Sequence, residues 1–479
     1  MHTPTLPRWL EALEKKYRHL PALKCGDLTV SFAELSDRSR SIATGLSRNG
    51  IIAGDRVAIW LLNETDWISI FLACAHIGAI AVAVNTRYRA TELADIFGRV
   101  RPKAVFFRSH FRSVDFSEQI DRASLVSGAA PALLVTLGDD AAGSSISLDD
   151  LIGEPQRSVL ETIDGNSGAI MFSTSGTTSA PKFVTHPHRS IVDHAGDVAD
   201  NFGMTATDTV MLQALPYCGV FGFCQAMAAL DAGQPSIVLD VFEAKAAAAA
   251  IADNRVTHFN ATDEMLTALV GAAPADALST LRLVGAASFN RGPETLDALA
   301  DTYGIPIVGL YGMSEVQALF ARRDVDDPSE QRFRAGGHPV SHRARARVCD
   351  PETRDILPIG EYGELELSGP SQLTGYFGDE AATHETLTAD GFVRTGDLGV
   401  LSEDGSFTFE SRLGDALRLG GFLVNPDEIS EFVENIDGIE ECVVVGVMSG
   451  GRLRPAAFVK TVLLQSLDPE TALDICRHG

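Results

Sequence analysis

Residues 170–182, Ile170-Met171-Phe172-Ser173-Thr174-Ser175-Gly176-Thr177-Thr178-Ser179-Ala180-Pro181-Lys182, carry the densest chemistry in this chain. An apolar strand runs into a loop packed with hydroxyls and closed by Pro-Lys. Such a loop can aim backbone N–H groups and Ser/Thr hydroxyls at phosphate oxygens, with Lys182 as a point charge. The G-x-x-x-x-G-K-[ST] pattern is absent, so this is not a Walker A loop. Taken alone, the stretch reads equally well as a flexible Ser/Thr linker. His186 and His188 follow as H-P-H and are read as loop histidines, since no cluster of further metal ligands accompanies them. No G-x-S-x-G elbow is present, which leaves Ser-His-Asp hydrolysis without support.

The elements that must hold this loop alternate along the chain. Residues 31–50 form an amphipathic helix pattern with Ser31 as N-cap, Glu34 completing a capping box and Gly50 as the stop. A buried strand over 55–62, a helix around 64–78 and an apolar run over 79–84 follow. Short apolar strands then recur at 104–107, 132–137, 169–172, 209–215, 236–239, 281–284 and 306–310, and this rhythm predicts layered α/β architecture with largely parallel sheets. The alanine tract 244–250 is good helix. After about residue 330 alternating segments at 345–348, 363–367 and 406–409 predict short antiparallel strands, a small barrel or twisted sheet. A last unit begins near Arg412, with a helix over 426–437 and a strand over 442–447.

The chain has 479 residues, a net charge of −25 and 45% hydrophobic residues. That is enough apolar material for several cores and too acidic for a general nucleic-acid binder. Any bound nucleotide must be held by local groups. Seven scattered cysteines without a C-x-x-C pair suit reduced thiols and a cytoplasmic location. The opening Met1-His2-Thr3-Pro4 lacks the flanks of a signal peptide. No apolar run reaches the roughly 18–20 residues of a membrane helix.

From about Leu28 to about Val459 the chain resembles the adenylate-forming superfamily: acyl- and aryl-CoA synthetases, peptide-synthetase adenylation domains and luciferases. The resemblance rests on collinear motifs: FAELSDRS…GIIAGDRVAI, STSGTTSAPK, LPYCGVFGF at 215–223, GAASF at 285–289, YGMSE at 311–315, GELELSG at 363–369, GYF at 375–377, TGDLG at 395–399 and RLGDALRLGGFLVNPDEI at 412–429. It implies ATP and Mg2+ as cofactors. Thr174, Ser175, Gly176, Thr177, Thr178 and Lys182 would grip the β,γ-phosphates. Ala286, Ala287 and Ser288 would lie along the adenine, Tyr311 would stack on it, and Gly312 would complete the nucleotide site. Ser314 would touch the α-phosphate and Glu315 would hold Mg2+. Asp397 would accept hydrogen bonds from both ribose hydroxyls, although T-G-D alone reads as an ordinary turn. Arg412 would reach the ribose or phosphate. Catalysis then runs through charge neutralisation and positioning by Lys182, Ser314 and Glu315 rather than a protein nucleophile.

Several positions depart from the family pattern. Ser179 replaces a glycine of the phosphate loop, which stiffens it. Gly219 stands where CoA ligases commonly have a histidine, opening room at the acyl-pocket wall. That wall combines Tyr217, Cys218, Gly219, Phe221, Phe223, Ala286 and Met313. The segment Asn260-Ala261-Thr262-Asp263-Glu264-Met265 replaces an apolar one; Asp263, or else Glu264, faces an amino or hydroxyl group of the substrate, or both lie on a solvated helix start. Gly414, followed by Asp415, sits at the hinge and predicts easy rotation; Arg418 replaces a frequent lysine. Neither Lys460 nor Arg452 sits in the motif of the family's C-terminal lysine, and a helix beginning at Pro469 is cut mid-run, so the chain is expected to be truncated.

The expected fold is therefore α/β. A large N-terminal domain, residues 1–411, holds two layered α/β subdomains and a small β-barrel-like subdomain; a small mobile α+β C-terminal domain, residues 412–479, is incomplete. The leading function is ATP-dependent activation of a compact, aryl acid, with transfer to CoA or a carrier-protein phosphopantetheine thiol. One alternative activates nitrite for attack by an aryl amine; another is a non-catalytic ATP-binding scaffold. No nucleic-acid or membrane partner is expected, and a homodimer is left open.

Overall fold

The computed structural model describes residues 3–112, 114–138, 144–154, 163–174, 181–274, 276–288, 293–413, 417–419, 422–424, 426–434, 436, 438–449 and 452–461. Two large sheets carry the architecture among these residues. The first runs, in spatial order, Gly375–Tyr376, Lys182–Pro187, Gly168–Thr174, Ile80–Ala83, Arg56–Trp60, Ala104–Phe107, Leu133–Thr136 and Ile146–Ser147. Its centre is parallel, and its strands are buried on both faces, as covered parallel strands must be.

The second sheet has a parallel half made of Ile307–Tyr311, Leu283–Ala287, His258–Thr262, Met211–Gln213, Ser236–Val238 and Pro21–Cys25. The antiparallel strands expected after residue 330 are present, and hydrogen bonds carry them on from this half. From Ile307–Tyr311 the ladder passes through Ala321–Arg322 and Gly336–Pro339 to Phe407–Arg412, Val393–Leu401, Tyr362–Ser368 and Arg345–Cys349. Arg412 is the last residue of this sheet's Phe407–Arg412 strand. Beyond it lie the helix Pro426–Glu434 and the hairpin Ile439–Ser449 with Arg452–Thr461.

Local sequence rules explain the helices. Phe32–Arg48 opens on the reciprocal Ser31–Glu34 capping box. Thr65–Ile77 stops at Gly78, which sits at φ 70 in the left-handed region. The main core packs Thr65–Ile77, His188–Asn201 and Val220–Asp231 between the two sheets, through Trp67, Phe71, Phe172, Val198 and Phe223. A second core covers the opposite face of the parallel half, with Leu212, Phe259, Val284, Ala286 and Ile307. Burying these side chains supplies the dominant folding force. No helix among the described residues is long and apolar enough to cross a membrane.

Candidate active site

Four chain segments meet at the carboxyl ends of the parallel strands, the edge where open α/β sheets bind ligands. The hydroxyl-rich loop leaves the strand Gly168–Thr174 and returns as Lys182–Pro187, with Thr174 paired to Lys182 across the ladder. Both ends are pinned. Tyr88 and Ser173 share a hydroxyl–hydroxyl hydrogen bond of 2.9 Å, and Arg99 donates to the Pro181 carbonyl at 2.6 Å while its guanidinium sits over the Phe183 ring. Ser175, Gly176, Thr177 and Thr178 lie outside the described residues.

The strand Ile307–Tyr311 ends in Gly312 and Met313 and turns into a short helical turn, Ser314–Val316. Two buried imidazoles clamp this turn. His186 Nε2 donates to the Ser314 carbonyl and His194 Nε2 to the Ala318 carbonyl, each at 2.7 Å. Burial holds both rings down at about pKa 4, so they are neutral donors at pH 7. The reading of His186 and His188 as loop histidines is corrected here: His186 lies in a strand, His188 opens the helix His188–Asn201, and both are wholly buried. Two backbone contacts account for them: His186 holds Ser314, and His188 Nδ1 accepts from the Leu6 N–H. No group of three metal-ligating side chains occurs among the described residues.

Glu315 is only 8% exposed. Its Oε1 accepts from the Tyr376 hydroxyl at 2.8 Å, and Lys182 Nζ lies 4.8 Å from the centroid of the same Tyr376 ring. One tyrosine thus gathers the lysine and the carboxylate. Burial, with the Glu315 charge adding to it, raises the Tyr376 pKa, so the phenol stays a donor.

Asp397 comes from the strand Val393–Leu401, whose burial alternates and turns Val393, Thr395 and Asp397 inward. A bulge opposite Leu365 lets three residues, Thr395 to Asp397, face one. Gly396 supplies the φ of 68 that this kink requires. Asp397 Oδ2 accepts from the Tyr311 hydroxyl at 2.6 Å, and Oδ1 lies 2.9 Å from Arg412 Nε. Burial and the neighbouring Asp397 push the Tyr311 pKa well up. The Arg412 charge acts on both Tyr311 and Tyr376, which joins the two clusters into one polar site. Lys182, Glu315, Asp397 and Arg412 therefore converge. Ala286 and Ala287 end the strand Leu283–Ala287 beside them, with Ser288 following.

The expected pocket wall is distributed over one helix start. Gly219 is the N-cap of Val220–Asp231, and a Cβ there would meet only the Pro216 carbonyl, at 3.5 Å. Tyr217 is wholly buried against Trp67, and Phe223 stands beside the same indole. Cys218 and Phe221 are half-buried, Met313 lies near the Tyr311 hydroxyl, and burial raises the Cys218 thiol to about 11. Asp263 does begin the helix Asp263–Ala272, but it is wholly buried, which corrects the solvated alternative for that residue; Glu264 is half-buried. Gly414 lies outside the described residues. Sequence reasoning missed Tyr376, Tyr88, Arg99 and His194. Only Tyr376 had a signal, in the G-Y-F motif.

The sequence profile of the AMP-binding enzyme family matches residues 10–377. The chain belongs to that family. This AMP-binding enzyme is thus an acyl-CoA synthetase-like member of the adenylate-forming superfamily, and the scaffold alternative falls away. It is 28% identical over 459 residues to a methyl-dioxo-octahydroindenyl-propanoyl:CoA ligase of Rhodococcus jostii, covering 92% of this chain and 86% of that one. It is also 28% identical over 458 residues to the fatty acid–[acyl-carrier-protein] ligase ScoC of Streptomyces coeruleorubidus, covering 93% and 85%. The crystal structure of ATP-bound MatB from Rhodopseudomonas palustris superposes with a TM-score of 0.76 at 25% identity, covering 99% of this chain and 92% of that chain.

Proposed function

We propose that this enzyme uses ATP to activate a compact aryl acid as an acyl-adenylate and then transfers the acyl group to CoA. The observation that carries the reading is the convergence of Lys182, Glu315 and Asp397 around Tyr376, Tyr311 and Arg412. A cation, a buried carboxylate and a second buried carboxylate answer to a triphosphate, its metal and its ribose. Asp397 fits the sugar role because a carboxylate offers two acceptor oxygens to the two ribose hydroxyls. Glu315 fits Mg2+, which takes hard oxygen donors and is commonly held by one or two carboxylates plus substrate phosphates. When bound there, Mg2+ would neutralise phosphate charge.

The residues then divide the work. The hydroxyl loop and Lys182 hold the β,γ-phosphates, so that the leaving pyrophosphate is stabilised as the P–O bond breaks. Ser314, its carbonyl fixed by His186, presents its hydroxyl to the α-phosphate attacked by the acid's carboxylate oxygen. Neutralisation and alignment lower the barrier between two anions. A thiol then attacks the acyl carbon, and AMP leaves. The half-buried Phe221, the room at Gly219 and the apolar Met313 favour a compact ring in the acid site.

A division at 411/412 belongs to the same proposal: residues 1–411 bind nucleotide and acid, and residues 412–479 form a mobile domain pivoting near Gly414. The likeness to ScoC favours a second acceptor, a carrier-protein thiol. No observation favours nitrite activation. The test is acid-dependent AMP release over a panel of aryl and alkyl acids, with and without CoA and carrier protein. Release with alkyl acids alone would overturn the aryl assignment, and turnover with carrier protein but not CoA would reassign the acceptor.

A further inference from the structure

The face of the parallel half that looks toward the helix Val220–Asp231 carries buried amides the mechanism does not use. Strand alternation sets this face. Leu212, Phe259 and Val284 point into the second core, so Gln213, Asn260 and Gly285 point the other way. The pairings Met211–His258 and Leu212–Phe259 bring Gln213 alongside Asn260, and Asn260 pairs directly with Gly285. Gln213 and Gln225 are wholly buried, and Asn260 is 2% exposed.

Their hydrogen bonds are incomplete in a complementary way. Gln213 Nε2 donates to the Leu215 carbonyl at 2.6 Å, and Gln225 Nε2 donates to Gln213 Oε1 at 2.7 Å. That leaves Gln225 Oε1, an acceptor, and Asn260 Nδ2, a donor, both buried without a partner. A buried polar group left bare is costly, so each calls for a partner. The fold makes space for this amide: a Cβ on Gly285 would stand 2.3 Å from Asn260 Oδ1 and 2.7 Å from Leu310 Cδ1. Asn260 lies two residues from the carboxyl end of its strand, just below the edge where the polar site assembles.

We infer that the acid taken by this enzyme carries a hydroxyl remote from its carboxylate, held between Asn260 Nδ2 and Gln225 Oε1. A hydroxyl is the smallest substituent that accepts from one group while donating to the other. Gln213 positions Gln225 by their hydrogen bond, and Gln213 stands beside Asn260 on a neighbouring strand about 4.8 Å away. This selector rests on the acid-activating reading and names its substrate class. The competing occupant is a buried water that bridges the two amides and ignores the substrate.

The experiment is ATP–pyrophosphate exchange by the full chain with matched acids: benzoate against its meta and para hydroxy derivatives, and hexanoate against its omega-hydroxy derivative. The expected result is a kcat/KM preference of about 10-fold or more for at least one hydroxylated member. In Asn260→Leu and Gln225→Met that ratio falls toward one. Where either variant lowers Tm markedly, Asn260→Ser gives the same readout with less disturbance. No preference in any pair, or equal loss on both members of a pair, would overturn the selector and leave the water. Absence of exchange with every acid would overturn the acid-activating reading and the selector together.

Discussion

The Tyr311 hydroxyl and Asp397 Oδ2 stand 2.6 Å apart, joined across 86 positions of sequence, and Arg412 closes the carboxylate from its other side. Asp397 is 2% exposed, so these two contacts help to sustain its charge. Tyr311→Phe removes one and leaves the ring in its edge-on packing against Phe407. The expected outcome is a loss of about 1–3 kcal/mol of stability and a KM for ATP raised roughly 10-fold. Thermal melts and exchange kinetics check it, and an unchanged KM for ATP would detach Asp397 from the nucleotide.

Tyr376 separates two functions in one side chain. Its ring meets Lys182 and its hydroxyl meets Glu315. Tyr376→Phe keeps the first contact and removes the second. The Glu315 carboxylate is then held less firmly, and the Mg2+ concentration giving half-maximal exchange should rise about 3- to 10-fold. Tyr376→Leu removes both contacts and should raise the KM for ATP as well. A metal titration of both variants distinguishes the two effects; identical titrations would count against Glu315 as the metal ligand.

Acid should unfold this protein through its buried histidines. His76, His186, His188 and His194 are each held at about pKa 4 by burial, against 6.5 when exposed. Between pH 6.5 and pH 4 the unfolded chain binds protons that the folded chain refuses, so stability rises with pH across that window. It is lost as pH falls from 6.5, and the loss stops once the folded rings themselves protonate. Unfolding at pH 5 should take up close to one proton per ring, about four in all. The midpoint of urea unfolding measured from pH 7 to pH 4.5 checks the sign. Replacing His194 by Asn should flatten the slope.

The elements were legible in the sequence where local rules act alone. The Ser31–Glu34 capping box, the Gly50 stop and the strand preceding the hydroxyl loop all follow from spacing within a few residues. The family motifs were legible as motifs, because each is a contiguous stretch of sequence. Their connections were not. Tyr376 reaches Glu315 across 61 positions, and His186 reaches Ser314 across 128. Periodicity assigns such residues to a face and says nothing of their partner. The histidines misled for the same reason, since H-P-H looks like a turn until the strand Lys182–Pro187 is paired on both sides.

The bulge at Gly396 gives the sharpest test of how backbone geometry aims the Asp397 carboxylate. Gly396 sits at φ 68, its N–H donates to Glu364 Oε1 at 3.1 Å, and its carbonyl accepts from the Leu413 N–H at 2.8 Å. Space is not the obstacle to a side chain, for a Cβ there would meet only Arg412 Nη1, at 3.8 Å. The obstacle is the left-handed conformation, which costs an ordinary residue about 1–2 kcal/mol. Gly396→Ala should therefore lower Tm by roughly 2–4 °C. Relief of that strain would flatten the bulge and turn Asp397 off the inward face, so the KM for ATP should rise while the KM for the acid stays put. Gly396→Asn, which tolerates the left-handed region better, should recover part of both losses. If Ala and Asn behave alike, the kink has no part in aiming Asp397.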